Sequence, residues 1–469
     1  MSRLSRVTAL AAVAATLTAC AAGPDYQRPA PLAGTEAPFV SAEAQVYSPE
    51  APPADWWRLF NSPMLDGLVD QALTANKDVA VASANLAQVR AVLSEARSAR
   101  LPGTTVTASA ANARQQNLAT GEFDDGGIYS AGFDVAYEVD LFGRVRRSVE
   151  ASRAELGAAE AALDATRIAV AAETARAFAD ICAANVQIGV ARRTIQLQQS
   201  TYDLANRQLE VGRGTGLTVA QAAAQLESTR AALPPLQAQR AEAIFRLGVL
   251  TGKPPAQVAP EVQACSVIPQ VVSILPVGDG ASLLRRRPDV RQAERQLAAA
   301  TARIGVATAA LYPSVTLGGT ISTAATQAGD LGDDYTFSVG PLISWNFPNI
   351  AVARARIAQA DARAQGALAQ FEKANLVALQ EAETALSAYA RELDRRAALT
   401  RARDEGARAA RLARLRFEAG ADSFLNVLVS EQTLAQLEAE LARSQAQTGS
   451  RQVAVFKALG GAWTPPAAG

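Results

Sequence analysis

The sequence predicts a mixed fold class: a membrane β-barrel continued by very long helices, with two structural repeats in each chain. Three observations carry that expectation. Residues 144–211 and 351–418 are proline-free stretches dominated by Ala, Arg, Gln, Glu and Leu, all good helix formers. At about 1.5 Å per residue each would be roughly 100 Å long, far beyond an ordinary globular helix. Ahead of each stretch, apolar and polar residues alternate one by one, the signature of two-faced strands. The same order of elements then occurs a second time about 210 residues further on.

The first element is a leader. Arg3 and Arg6 open it, Val7 to Leu17 is an apolar run too short to span a bilayer, and small residues lead to Cys20. Residues 1–19 are predicted to be a secretory signal peptide. The stretch Leu17-Thr18-Ala19-Cys20 resembles the lipobox of bacterial lipoproteins, in which the cysteine thiol takes a diacylglycerol and becomes residue one of the mature chain. An ordinary signal peptide beside a chance cysteine is the competing reading. Cys20 is therefore the candidate lipid-attachment residue. Ala21 after it favours the outer membrane over inner-membrane retention. Acyl chains contribute roughly 0.8 kcal/mol per buried methylene, so more than one of them anchors stably.

Composition excludes several classes. The 45 basic and 45 acidic residues cancel, so there is no basic excess of the kind that nucleic-acid binding uses. There is no histidine, which excludes Ser-His-Asp and Cys-His catalysis and histidine-bound zinc. No phosphate-binding glycine loop and no paired cysteine ligands occur. Neither enzymatic activity nor a cofactor or metal is expected. Cys182 and Cys265 are far apart in sequence. Export permits a disulfide, but two cysteines are no framework, and unpaired thiols are the expectation.

Residues 20–60 hold many prolines and few periodic apolar positions, which predicts an extended arm. The first repeat covers 61–251. Ser62 as N-cap and Pro63 at the first helical position mark its opening helix. Strands at 104–113 and 129–140 follow, joined by a polar, glycine-rich loop. Then come the long helix 144–211, a glycine turn, and a helix from Leu217. Pro234 and Pro235 interrupt that helix, and a new one is expected from Leu236 to Leu250. Residues 252–281 link the halves. The second repeat, 282–461, has strands at 314–323 and 335–347, the long helix 351–418, a second glycine turn and a closing helix. Residues 462–469 form a C-terminal tail.

The repeats match residue by residue at the turns. Gly212, Leu217 and Val219 correspond to Gly420, Leu425 and Val427, each 208 residues later. Within the long helices, Val149, Leu156, Leu163 and Val170 recur every seven residues, and Ile181, Ile188, Ile195, Tyr202 and Leu209 do so on a shifted phase. Leu379, Leu386 and Leu393, then Val427, Leu434 and Leu441, continue the pattern. A seven-residue repeat implies supercoiled side-by-side packing. A cytosolic coiled-coil rod is the competing reading, and the export signal argues against it.

The strands settle where such helices lead. Tyr129, Ala131, Phe133, Val135, Tyr137 and Val139 alternate with Ser130, Gly132, Asp134, Ala136, Glu138 and Asp140. Tyr335, Phe337, Val339, Pro341, Ile343 and Trp345 alternate likewise with polar or small neighbours and Leu342. Apolar residues outward, polar residues inward and aromatics near the ends are the pattern of a membrane β-barrel. Four strands cannot close, and an open edge cannot sit in lipid. The chain must therefore oligomerise, and three copies would supply twelve strands. A periplasmic sheet packed on helices is the competing reading, supported by the ladder-breaking Pro341.

"AGPDYQRP" at Ala22, "DWWRLF" at Asp55, "EVDLFGR" at Glu138 and "LLRRRPDVRQAERQLAAATARIGVATAALYPSVTL" at Leu283 resemble the outer-membrane factor family, the TolC-like and more closely OprM-like lipoproteins of tripartite efflux pumps. The resemblance covers essentially the whole mature chain. It implies a homotrimer with a twelve-stranded β-barrel in the bacterial outer membrane and a twelve-helix α-barrel across the periplasm. It further implies a passive conduit for drugs, toxic compounds or metal ions. A periplasmic adaptor and an inner-membrane transporter of the resistance-nodulation-division class would be its partners.

The same resemblance places the functional end at the two glycine turns, as periplasmic tips that meet the adaptor. Arg207, Gly212, Leu217, Val219, Arg416, Gly420, Leu425 and Val427 are the adaptor-contact candidates. The competing reading makes the glycines helix C-caps and the leucines coiled-coil packing. Some family members place two carboxylates just beyond the second tip. Here those positions are Asn426 and Val429, flanked by Asp422 and Glu431. These four are the candidate pore gate, expected as a weaker acidic ring with apolar closure. A protein-secretion conduit of the same fold, and an unrelated periplasmic coiled-coil scaffold, are the alternative functions.

Overall fold

The computed structural model describes residues 21–461 except 31, 44, 117–120, 122 and 349. The leader 1–19, the candidate Cys20 and the tail 462–469 lie outside the described residues. In chain order the helices are α1 (Pro63–Ala75), α2 (Lys77–Ser98), α3 (Arg144–Glu210), α4 (Gly216–Ala231), α5 (Leu233–Leu250), the one-turn α6 (Pro260–Gln263), α7 (Gly280–Arg286), α8 (Pro288–Ala309), α9 (Ile350–Glu418) and α10 (Phe424–Ala458). The strands are β1 (Tyr47–Ser48), β2 (Gly103–Gln116), β3 (Phe123–Val139), β4 (Leu275–Pro276), β5 (Ser314–Ala325) and β6 (Thr336–Ser344). None of the described helices is long and apolar enough to cross a membrane. The chain divides into two compact units.

Among the described residues the first unit comprises 21–29, 85–160 and 292–373. It holds an antiparallel sheet in the order β2-β3-β5-β6. The register separates two chemistries. Val106, Phe133, Ile321 and Phe337 lie in one cross-strand row. The next row, Thr105, Asp134, Thr320 and Ser338, lies on the opposite face, as pleating requires. Hydroxyl pairs tie the polar face together: Ser109 to Ser130 at 2.8 Å and Ser322 to Thr336 at 3.1 Å. The apolar face stays bare in the single chain, with Val106, Phe337 and Val339 all more than 70% exposed. Pro341 falls on β6, an end strand of the sheet, where proline is tolerated. β3 starts at Phe123, ahead of the expected 129, because Gly126 and Gly127 keep their ladder partners Ala113 and Asn112. β6 is shorter than expected and stops at Ser344.

The motif "EVDLFGR" is the corner where β3 becomes α3. The Asp140 carboxylate accepts the N–H groups of Val145 at 3.0 Å and Arg146 at 2.7 Å, capping a helix of 67 residues. Glu138 pairs with Arg144, and the Phe142 ring stacks on Tyr312 at 4.4 Å. The second repeat turns the same corner with different chemistry. Trp345 stacks on Phe347 at 4.7 Å and donates its indole N–H to the Leu311 carbonyl at 3.1 Å.

Among the described residues the second unit comprises 30–84, 161–291 and 374–461. Its core is centred on Trp56, stacked on Phe456 at 5.1 Å, with Ile181, Leu247, Leu283, Leu386 and Leu459 fully buried around it. β1 and β4 pair in parallel, joining the arm to the linker. Arg287 accounts for the last arginine of "LLRRRPDV". Its guanidinium is buried and bonds Asp289, Glu381 and the Ala458 carbonyl, so one side chain ties the start of α8 to α9 and to the end of α10. Helix α1 is capped by Ser62 as expected. Helix α5 begins at Leu233, not Leu236, because prolines in a first turn forfeit no helical hydrogen bond.

Two expectations are corrected in this unit. Cys182 and Cys265 are bonded to each other, with Cα atoms 4.8 Å apart, so they are not unpaired thiols. Asn185 explains the pairing. Its side-chain amide donates to the carbonyls of Gln263 at 2.8 Å and Cys265 at 2.7 Å, holding the linker against the face of α3 that buries Cys182. The second correction concerns the heptads. Beyond residue 190 the buried stripe of α3 is Thr194, Gln198, Thr201 and Ala205, while Ile195 and Tyr202 are half-buried and Leu209 is exposed.

The disulfide closes a separation of 83 residues, so replacing both cysteines by serine is expected to cost about 2–4 kcal/mol. A lowered thermal midpoint, and loss of the mobility difference between reduced and non-reduced gels, is the expected result.

Candidate functional site

Each long helix ends in a tip, and both tips lie in the second unit. At the first, the Gly212 N–H bonds the Leu209 carbonyl at 3.0 Å and the Arg213 N–H bonds the Gln208 carbonyl at 2.8 Å. At the second, the Gly420 N–H bonds Phe417 at 2.9 Å and the Ala421 N–H bonds Arg416 at 2.9 Å. Every partner is shifted by 208 residues, so the sequence repeat is a repeat of backbone geometry. Gly212 and Gly420 have φ of 70° and 71°, the left-handed region that a helix C-terminus assigns to glycine. No atom lies within 4 Å of the position that a Cβ would take at either glycine. The constraint there is conformational, not steric.

The return helices start differently. Thr215 caps α4 through a reciprocal box with Thr218. In the second tip the matching positions are Ser423 and Asn426, and the Ser423 side chain makes no cap bond. Asp422 takes over. Its carboxylate accepts the Asn426 amide at 2.5 Å and the Ser423 N–H at 2.8 Å, with Arg416 at 3.3 Å. The Asn426 hydrogen bond, with help from the Ser423 N–H and Arg416, holds this carboxyl below its usual range.

Above the turns the two hairpins are joined by a buried ionic cluster. Glu431 on α10 accepts the Thr201 hydroxyl of α3 at 2.7 Å and Arg414 of α9 at 2.8 Å, and Arg414 also reaches Thr201 at 2.9 Å. The Glu431 side chain is 3% exposed. An apolar cluster of Ala205, Ala222, Phe424 and Leu428 packs nearby, with Val219 and Phe417 against it.

These contacts sort the expected site residues. Arg207, Gly212, Leu217, Arg416, Gly420 and Leu425 are exposed around the two turns. Val427 is fully buried and offers no surface in this chain, and Val219 is half-buried against the apolar cluster. Of the gate candidates, Asn426 and Val429 are exposed and Asp422 is half-buried. Glu431 is corrected: its carboxylate is consumed by Arg414 and Thr201 inside the chain and cannot line an acidic ring. Arg414 and Thr201 were not singled out from sequence, because one arginine among many on α9 carries no signal of its own.

A family model described as outer membrane efflux protein matches residues 68–253 and 281–461. The chain belongs to the outer membrane efflux protein family. The two matched segments fall one in each half of the chain. It is 30% identical over 465 residues to the toluene efflux pump outer membrane protein TtgC of Pseudomonas putida, covering 97% of this chain and 95% of that one. It is 32% identical over 428 residues to the pyoverdine export outer membrane protein OpmQ of Pseudomonas aeruginosa, covering 87% of each. Among solved structures, the outer-membrane channel OprN superposes with a TM-score of 0.89 and 35% identity over 95% of this chain and 100% of that one. These relatives are named for efflux, for export and as an outer-membrane channel.

Breaking a buried ion pair from one side leaves an uncompensated charge. Arg414→Ala strands the Glu431 carboxylate and is expected to cost about 3–5 kcal/mol. Glu431→Gln keeps a neutral acceptor for Thr201 and leaves Arg414, one-third exposed, able to hydrate, so it costs less. Thermal melts and amide exchange along α10 near residue 431 test this order.

Proposed function

We propose that three copies of this chain close their sheets into a twelve-stranded outer-membrane barrel, anchored by lipid on Cys20. Twelve helices continue it as a periplasmic conduit for small solutes. The observation that carries this reading is the four-stranded sheet. One face is apolar and bare, the other is hydroxyl-lined, and among the described residues β2 and β6 each have one unpaired edge. Such edges are incompatible with lipid unless neighbouring chains pair with them.

The conduit is passive. An inner-membrane transporter of the resistance-nodulation-division class supplies energy, and a periplasmic adaptor opens the tips. The exposed Arg207, Gly212, Leu217, Arg416, Gly420 and Leu425 form the adaptor surface, and the gate is built from Asp422, Asn426 and Val429. Two of these relatives are named for toluene efflux and pyoverdine export, which supports small solutes as cargo. Protein secretion through the same fold is the alternative.

Deleting the gene separates the two. Cells lacking the chain should accumulate fluorescent dyes and antibiotics several-fold, with recovery on complementation and an unchanged set of secreted proteins. Normal dye export together with loss of a secreted protein would favour the alternative.

A further inference from the structure

The first unit holds the start of the arm in a built dock. The Ala22 N–H donates to the Phe142 carbonyl at 3.0 Å, and Ala21 lies against Gly143. Arg147, whose side chain is 5% exposed, spends most of its donors on the arm. Its Nε reaches the Ala22 carbonyl at 3.3 Å. Its Nη2 reaches the Gly23 carbonyl at 3.2 Å and the Asp25 carboxylate at 2.7 Å, and Nη1 is held by Glu150 at 2.8 Å. Backbone meets backbone behind it. A Cβ on Gly23 would lie 2.5 Å from the Gly305 Cα, and a Cβ on Gly305 would lie 2.7 Å from the Ala22 carbonyl oxygen. Further along the arm, the Tyr26 hydroxyl donates to Glu294 at 3.3 Å, and Arg28 pairs with the same carboxylate.

The dock sits at the corner where β3 passes into α3. Gly143, Phe142 and Arg147 belong to the "EVDLFGR" corner and the first turn of α3. Ala21 is the residue after Cys20. We infer that Arg147, Gly305 and Gly23 form an anchor dock, which fixes the N-terminal end of the arm to the base of the sheet so that lipid on Cys20 enters the membrane beside the strands. Arg147 is a positioning residue here: it holds the segment that carries the modification. The gain is one of effective concentration. Acyl chains on a loose arm sample a large volume, whereas chains on a docked arm are held at the leaflet that the sheet must enter. This rests on the lipid-anchored reading above, and extends it by naming the residues that make the anchor productive.

The test uses the full chain and reads insertion, not efflux, so a failure of the pump assignment leaves it intact. Gly23→Val alters only the arm and keeps the body of the unit unchanged. Arg147→Ala attacks the dock from the other side. Both variants should carry the same acyl mass on the N-terminal peptide as the parent. Amide exchange of the segment from Cys20 to Arg28 should become fast in each, and the outer-membrane fraction resistant to extraction should fall several-fold. Adding Cys20→Ser to either variant should cause no further loss, because dock and lipid act in one step. Three results would overturn the inference: unchanged exchange of the arm in Gly23→Val, full insertion of that variant despite a freed arm, or losses that multiply when Cys20→Ser is added. An unmodified Cys20 in the parent would instead remove the lipid-anchored reading itself.

Discussion

Backbone hydrogen bonding at two strand edges governs the rest of this molecule. β2 and β6 each pair on one side only within the chain, and the face they share is apolar and bare. In water such a sheet would aggregate, and in lipid its free N–H and C=O groups would each cost several kcal/mol. Among the described residues no further strand pairs with either edge. The apolar row of Val106, Phe133, Ile321 and Phe337 runs unbroken from one end strand to the other, so the whole width of the sheet is suited to one environment.

Helix ends, by contrast, are satisfied within the chain. Asp140 caps α3 where β3 ends, while glycine-led turns reverse the chain at both tips with the same backbone bonds. The two tips share their turn bonds but not their side chains. Thr215 and Thr218 cap one return helix, whereas Asp422 and Asn426 organise the other. The Glu431 cluster links α10 to α3 and α9 only through residues that the first repeat does not copy. The tips are therefore distinct surfaces built on one template.

Much of this was legible in the sequence because period and punctuation are local. Strict alternation marked the strands, missing prolines marked α3 and α9, and Gly212 and Gly420 marked the turns. The parts that were not legible depend on long-range return paths. Cys182 and Cys265 meet because Asn185 holds the linker, which no spacing encodes. The seven-residue series through Ile195, Tyr202 and Leu209 pointed to an apolar seam, yet the buried stripe is Thr194, Gln198 and Thr201. Two of those polar residues have partners: Thr194 bonds Val190 of its own helix, and Thr201 bonds Glu431. The buried Gln198 amide has no hydrogen-bond partner among the described residues. Glu431 read as a gate residue because sequence position put it near the turn. Its partners on α3 and α9 took it out of reach.

The central claim is that β2 of one chain completes β6 of the next around a closed ring of three. Cysteines placed singly along β2, at Thr104, Val106, Ala108 or Ala110, and combined with single cysteines along β6, at Phe337, Val339 or Ile343, test this directly by oxidative crosslinking in outer membranes. The account predicts that pairs in register give a covalent ladder of two and three chains that stops at three. A ladder that stops at two, one that runs on beyond three, or no crosslink from any pair would contradict it.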